Sequence, residues 1–322
     1  MTTVIKTILA FLFAALLLYL GFHYFLSDEQ KKMIFAIPFT VHAISFLLVI
    51  PCYLIGGIEL RLLYSRVSKI KLSAYDTATL PFVINLWGFI IPFQGSFFYM
   101  LAYILSKYKK GITESIRVYL ISFSVAMSIA GFAGGLYYFV TDYKFPLLFF
   151  ILCCLLFINP FLLYLTGRLS SMYNGKSKWM KPFAEKLSEV VSSESIDRQL
   201  IFFLAGIKII NVILTSLWCW WIVANLHLQL SFMQLILISL LMNIMALVKI
   251  TPGNLGLSQF ASGGIALLVG GTMNDGFLLS SFQYLTIIIA AVILGGIFSF
   301  FNMKYFSWQA FKSMMAKKET MT

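Results

Sequence analysis

The sequence predicts an all-α polytopic membrane protein with about six full spans and two Pro/Gly-broken segments arranged as an inverted repeat. Three observations carry that expectation. Of 322 residues, 60% are hydrophobic and only 11% charged, with a mean hydropathy of +0.90, which leaves more apolar surface than a water-soluble domain could hide. Two long apolar stretches are interrupted by turn residues, at Pro92-Phe93-Gln94-Gly95-Ser96 and from Thr251 through Pro252, Gly253, Asn254, Leu255, Gly256, Leu257 and Ser258 to Gln259. Irregular backbone at membrane depth survives only where protein buries it or a polar cavity wets it, and paired interrupted helices are how many transporters build a mid-membrane site. Finally, Lys and Arg gather in short loops and at the C-terminus, which sets a topology.

The same charge distribution excludes other classes. A net charge of +12 would suit nucleic acid, but basic residues placed in short loops between apolar runs are what the positive-inside rule expects. Cys52, Cys153, Cys154 and Cys219 sit inside hydrophobic runs, so neither a disulfide framework nor a metal site is implied. Gly175-Lys176-Ser177 is not a phosphate loop, because the first glycine of that motif would fall on Ser170.

Taken in order, helix one covers about 4–26, long enough to span and without a small-residue cleavage pattern before Asp28-Glu29, so it is expected to be retained. Helix two covers about 34–58. The loop after it carries Arg61, Arg66, Lys69 and Lys71 against Glu59 and Asp76 and belongs in the cytoplasm, which puts the N-terminus there too. Segment 77–106 is followed by Lys107, Lys109, Lys110 and Arg117, which also want the cytoplasm. A simple span would put them outside, whereas two half-helices turning at 92–96 return the chain to the side it left.

Helix three (about 115–140) goes out and helix four (about 146–166, kinked at Asn159-Pro160) returns, closing an N-terminal membrane half, 1–166. Residues 167–199 carry six basic and four acidic residues and read as a cytoplasmic linker, with an interfacial helix opened by Pro182 and faced by Phe183, Leu187 and Val190 or Val191. The C-terminal half, 200–304, holds helix five (about 200–224), the second broken segment 230–271 and a last helix (about 278–303). A basic tail, 305–322, follows in the cytoplasm. Segment 230–271 must begin and end outside, as two thin spans or as a deep hairpin turning near Lys249 to Gly256.

The two broken segments match in layout. Asn85 precedes Pro92, with Glu114 and a new helix downstream; Asn243 precedes Pro252, with Asp275 and a new helix at nearly the same distance. Mouths on opposite faces then imply a pseudo-two-fold axis in the membrane plane. Half-helices beginning near Gly95-Ser96 and near Asn254 to Gln259 would aim free amides and positive dipole ends at the membrane middle, where they suit an anionic group such as a lipid phosphate. The candidate substrate-binding residues are Gln94, Gly95, Ser96, Lys249, Pro252, Gly253, Asn254, Gly256, Ser258 and Gln259. Glycines would let the backbone approach, and the amides and hydroxyls would supply neutral hydrogen bonds, unless they only cap the broken helices. Further intramembrane polar candidates are His42, Asn85, Lys208, Asn211 and Asn243, with Lys208, Asn211 and Thr215 sharing one face of helix five. No Asp or Glu is placed mid-helix by these boundaries, and Gly131 with Gly135 forms a small-residue face for helix contact.

The segment Pro252 to Gln259, together with Asn85 to Ser96, resembles the membrane domain of the lysylphosphatidylglycerol synthase family, which includes flippase-like proteins of about this length. Pro252, Gly253, Leu255 and Gly256 match the second motif; Asn254 takes a glycine position and Gln259 stands where the family has an acid. Pro92 and Gly95 match the first motif, with Gln94 and Ser96 near its basic and acidic positions. The resemblance implies the lipid-flipping half alone, because only about 20 residues follow the last helix, where synthase members carry an aminoacyltransferase domain.

The expected function is therefore movement of a phospholipid or polyprenyl-phosphate lipid headgroup across a bacterial or archaeal cytoplasmic membrane, with no enzyme activity, cofactor, metal or nucleic-acid partner. The lack of a strong acid at either turn favours an anionic or sugar-bearing lipid over a cationic aminoacyl lipid. Two alternatives remain: an integral-membrane glycosyltransferase using Asp28-Glu29, and a non-transporting partner in an envelope-biosynthesis complex. The oligomeric state is not set by the sequence.

Overall fold

A computed structural model describes residues 3–24, 26, 28, 32, 37–91, 95–109, 112–140, 150–158, 198–245 and 251–302 of the chain. Among these there are helices and turns but no strand, and four helices are long and apolar enough to cross a membrane. Helix α1 is Thr3–Tyr24. Helix α2 (Phe39–Val67) precedes a hairpin of two shorter helices, α3 (Ala74–Ile90) and α4 (Gly95–Tyr108), and then the long α5 (Ile112–Val140). Residues 150–158 form α6. The pattern then recurs as the long α7 (Arg198–Asn225), the short α8 (Phe232–Met245) and α9 (Leu257–Leu268), and another long helix. That last helix is α10 (Met273–Ala290), one π-helical turn (Ala291–Gly295) and α11 (Gly296–Asn302).

Helix two of the sequence reading ends too early. The observed α2 continues nine residues beyond position 58, through Glu59, Arg61 and Arg66, to Val67. Asp76 and Asp275, both read as loop residues, instead lie in the first turns of α3 and α10, where Ser73 and Thr272 cap the helices by accepting from the Asp76 and Asp275 amides. Of the expected span 146–166 the structure describes 150–158, as helix; the linker 167–199 up to residue 197 and the tail 305–322 lie outside the described residues.

Side-chain pairs fix how the helices run. Glu59 meets Lys208 and Cys52 meets Thr215, so α2 and α7 cross antiparallel. Tyr64 donates to Ser115, which sets α5 antiparallel to α2. The ends therefore sort onto two faces. Arg66, Lys69, Lys71, Lys107, Lys109 and Arg117 share the face where α2 and α4 end and α5 begins, and Asn302, at the end of α11, reaches that face through Tyr103. At the opposite face the start of α8 meets the end of α9, with Gln234 donating to the Val269 carbonyl at 2.9 Å. The flanks of the long helices carry exposed side chains such as Phe202, Phe132, Leu47 and Phe300, a distribution suited to lipid rather than water.

Two backbone irregularities draw elements together. Pro81 inside α3 has no amide to offer the Thr77 carbonyl, and α2 presents Gly57 directly to that oxygen. The π-helical turn lies on α3, where Gly295 sits against the Phe82 carbonyl and Leu86. A Cβ added at Gly57 would lie 1.8 Å from the Thr77 oxygen, while at Gly56 nothing lies within 4 Å. Gly57→Ala is therefore expected to destabilise by about 1–3 kcal/mol through overpacking. Its neighbour Gly56→Ala should be neutral or stabilising by up to about 1 kcal/mol, from helix propensity. Thermal unfolding of the two variants in detergent, side by side, checks the contrast.

Candidate functional site

The first hairpin is zipped along its length. Trp87 of α3 stacks on Tyr99 of α4 at 5.4 Å, and Tyr99 stacks on Tyr103 at 6.1 Å. At the base, Asp76 is fully buried and accepts from Tyr103 at 2.7 Å, from Lys107 at 2.7 Å to each oxygen, and from Tyr108. At the tip, Gly95 lies where a Cβ would be 2.7 Å from the Trp87 carbonyl oxygen, and the Ser96 hydroxyl fills the space beside Gly88. Gly95 and Ser96 are thus buried at the turn, while Gln94 lies outside the described residues. Asn85 donates to the Pro81 carbonyl of its own helix at 2.8 Å.

The second break satisfies its own backbone. The Asn254 amide donates to Thr251 and the Leu255 amide to Pro252, each at 3.0 Å, and the Thr251 hydroxyl donates to the Leu255 carbonyl at 2.8 Å. Gly253 (φ 55°), Asn254 (φ 63°) and Gly256 (φ 80°) take left-handed conformations that favour glycine or asparagine. Gln259, buried, turns back to accept the Gly256 amide at 2.7 Å and so caps α9. Ser258 shares a 2.5 Å hydrogen bond with the Tyr284 hydroxyl of α10. The side chains of Thr251, Ser258 and Gln259 are thus engaged in shaping the turn or in holding α9. Lys249 lies outside the described residues, and Asn243 falls in α8.

The two breaks meet. Gly253 lies against the Phe89 ring, with a Cβ there only 2.1 Å from two ring carbons, and Gly95 lies against Trp87 and Ile91 of the same last turn of α3. Tyr53 of α2 packs edge-on against Phe82 of α3 at 5.0 Å, two turns before Phe89. Gly256 is covered by α1, whose Leu17 and Ala14 carbonyl would meet a Cβ at 2.6 and 3.0 Å. The glycines thus serve close approach, and the groups that approach are Phe89 and α1.

A second polar constellation lies at the level of the first hairpin's base, two residues beyond the Gly57 that meets Thr77. Lys208 pairs with Glu59 at 2.8 Å, their side chains 17% and 8% exposed, and Ser122 of α5 donates to the same carboxylate. Both charges lie roughly 12–15 Å in from their helix ends, at 1.5 Å per residue. Lys208 therefore does not snorkel to the basic face, and the expectation that no acid sits mid-helix is corrected by Glu59. Thr215 donates to Asn211 at 3.3 Å, extending the polar face of α7. It continues to Cys219, which takes a 2.9 Å contact from Gln283. His42 is stacked on Phe282 at 4.7 Å.

The sequence reading missed Glu59, Asp76, Tyr103 and Tyr284. Glu59 and Asp76 were hidden by the helix boundaries; the partners of Asp76, Tyr103, Lys107 and Tyr108, lie about 30 positions on, across the hairpin turn. Gly131 does meet α6, since a Cβ there would lie 2.4 Å from the Cys153 carbonyl oxygen. Gly135 has open space instead and lines an apolar cleft of about 270 Å³ between α5 and α6. Among the described residues no group of three His, Cys, Asp or Glu side chains could hold a metal. Asp28 is exposed, and Glu29 lies outside the described residues.

No family model, no curated protein and no solved structure matches this chain.

The buried pair supplies a direct test. Lys208→Met strands a buried carboxylate and should cost about 2–4 kcal/mol, whereas Glu59→Met with Lys208→Met should recover most of that loss. Unfolding midpoints of the single and double variants check it.

Proposed function

We propose that this chain is a lipid transporter of the flippase type, shielding an anionic phospholipid or polyprenyl-phosphate headgroup between two inverted halves while the tails stay in the bilayer. The observation that carries this reading is the contact of the two helix breaks at Gly253 and Phe89, reached by hairpins whose bases lie at opposite faces. The arms of these hairpins are short: α3 and α4 have 17 and 14 residues, α8 and α9 have 14 and 12. At 1.5 Å per residue they reach about 18–26 Å, less than the roughly 30 Å of a hydrocarbon core. That supports re-entrant hairpins over two thin spans in 230–271.

The order long helix, hairpin, long helix occurs twice, which supports an inverted repeat. Helices α4 and α9 both begin near the junction, so their positive dipole ends favour negative charge there. The basic face is taken as cytoplasmic, and the membrane as the cytoplasmic membrane of a bacterium or archaeon. The family proposed is that of the lysylphosphatidylglycerol synthase membrane domain, on the motif residues Pro92, Gly95, Pro252, Gly253, Leu255 and Gly256. In this reading the protein performs no covalent chemistry.

Two measurements check it. Wild-type protein in liposomes should speed the crossing of labelled phosphatidylglycerol or polyprenyl phosphate above the protein-free rate, and Gly253→Leu, which drives a side chain into Phe89, should return it toward that rate. No acceleration by folded wild-type protein for either lipid class rejects transport of these cargoes. For topology, Lys109→Cys should react with an impermeant thiol reagent only from the cytoplasm and His227→Cys only from outside; both residues are exposed.

A further inference from the structure

The bases of the two hairpins are built alike. Ser73-Ala74-Tyr75-Asp76 opens α3 and Ser231-Phe232-Met233-Gln234 opens α8. In each, the serine hydroxyl accepts the amide three residues on, at 3.0 Å from Asp76 and 3.4 Å from Gln234. In each, that third residue then reaches across to the end of the returning arm. Asp76 takes Tyr103, Lys107 and Tyr108 of α4, and Gln234 donates to the Val269 carbonyl just beyond α9. Each base is also tied to the long helix that follows the other hairpin: Tyr103 donates to Asn302 at 3.5 Å, and Tyr137 of α5 donates to Val269 at 3.1 Å. The matched residues stand 158 positions apart, as do Asn85 and Asn243, and Gly95 and Gly253.

We propose that Asp76 and Gln234 are matched bolts holding the two hairpin mouths shut, and that the Asp76 bolt is the stronger, so the protein rests closed at its basic face and opens first at the other. The proposal rests on the transport reading for its purpose, though not for its test. The strengths follow from charge. Asp76 joins a carboxylate to an ammonium and two phenols, and charge-assisted bonds are roughly twice as strong as neutral ones. Opening that mouth breaks every one of these bonds at a carboxylate that is 0% exposed. Gln234 holds its mouth through one neutral bond to a carbonyl that water can replace.

The test uses single-cysteine reporters in a background with Cys52, Cys153, Cys154 and Cys219 replaced. Thr79 and Leu237 are matched positions one turn inside the two mouths, 3% and 1% exposed. Thr79→Cys is probed with an impermeant maleimide from the basic side and Leu237→Cys from the other side. In otherwise wild-type protein Leu237→Cys should label several times faster. Asp76→Asn should then speed Thr79→Cys by about tenfold, the factor one charge-assisted bond is worth, and should not speed Leu237→Cys. Gln234→Leu should speed only Leu237→Cys.

Equal labelling of both reporters in the wild type, or no response of Thr79→Cys to Asp76→Asn in protein of unchanged fold, overturns the proposal. Should Asp76→Asn fail to fold, Tyr103→Phe removes one of the bonds and must still raise Thr79→Cys labelling; no rise again overturns it. Lipid crossing is measured on the same samples, so bolts that respond in a protein that moves no lipid would fail the transport reading alone.

Discussion

A helix broken inside a bilayer leaves amides and carbonyls that no water will satisfy, and the rest of this structure is arranged around two such breaks. At the second, the chain spends Thr251, Gln259 and the left-handed Gly253, Asn254 and Gly256 on closing its own hydrogen bonds. What remains exposed by the turn is covered from two directions, by Phe89 from the other half and by α1 over Gly256. The second break is therefore not a local event, since it is covered by partners from elsewhere in the chain.

The long helices are held together with polar contacts that would be weak in water. Lys208, Glu59 and Ser122 join α7, α2 and α5 at one level, and Cys219, Gln283 and Ser239 join α7, α10 and α8 at another. In hydrocarbon, shape alone gives little preference for one helix neighbour over another, because lipid tails are as apolar as leucine. A buried ion pair adds selectivity: it permits one register of α2 against α7 and penalises others with a stranded charge. The antiparallel crossing of these two helices, on which the relation between the halves turns, is specified there.

Much of the architecture was legible in the sequence because charge and turn residues act locally. Lys107, Lys109 and Lys110 after an apolar stretch, with Pro92 and Gly95 in its middle, forced a hairpin reading, and α3 with α4 is such a hairpin. Asn85 and Asn243, 158 positions apart, gave the expectation of a correspondence between two halves. What could not be read was pairing over distance. Glu59 looked like the first residue of a loop because a lone glutamate after Ile58 ends an apolar run; only Lys208, about 150 positions away, makes it tolerable inside a helix. Asp76 looked like a loop acid among lysines for the same reason. The glycines were legible as points of close approach, but not what approaches them.

That last point constrains any mechanism at the junction. Gly253 and Gly256 have no open face in this conformation, since the Phe89 ring lies on the first and α1 on the second. Under the proposed transport reading, a headgroup drawn to the starts of α4 and α9 would have to displace one of them. Phe89 belongs to α3, whose base is fixed by Asp76 and whose last turn is stacked through Trp87 on Tyr99, so moving it means moving the hairpin. Helix α1 is held differently: its side chains Leu12, Leu16 and Tyr19 are exposed, and its contacts run through Ala14, Leu17 and the edge of Phe22 on Phe277. Among the described residues, fewer side-chain contacts resist its displacement. In a transporter built this way, α1 is the cheaper cover to lift, and the hairpins need part only after a headgroup has taken its place.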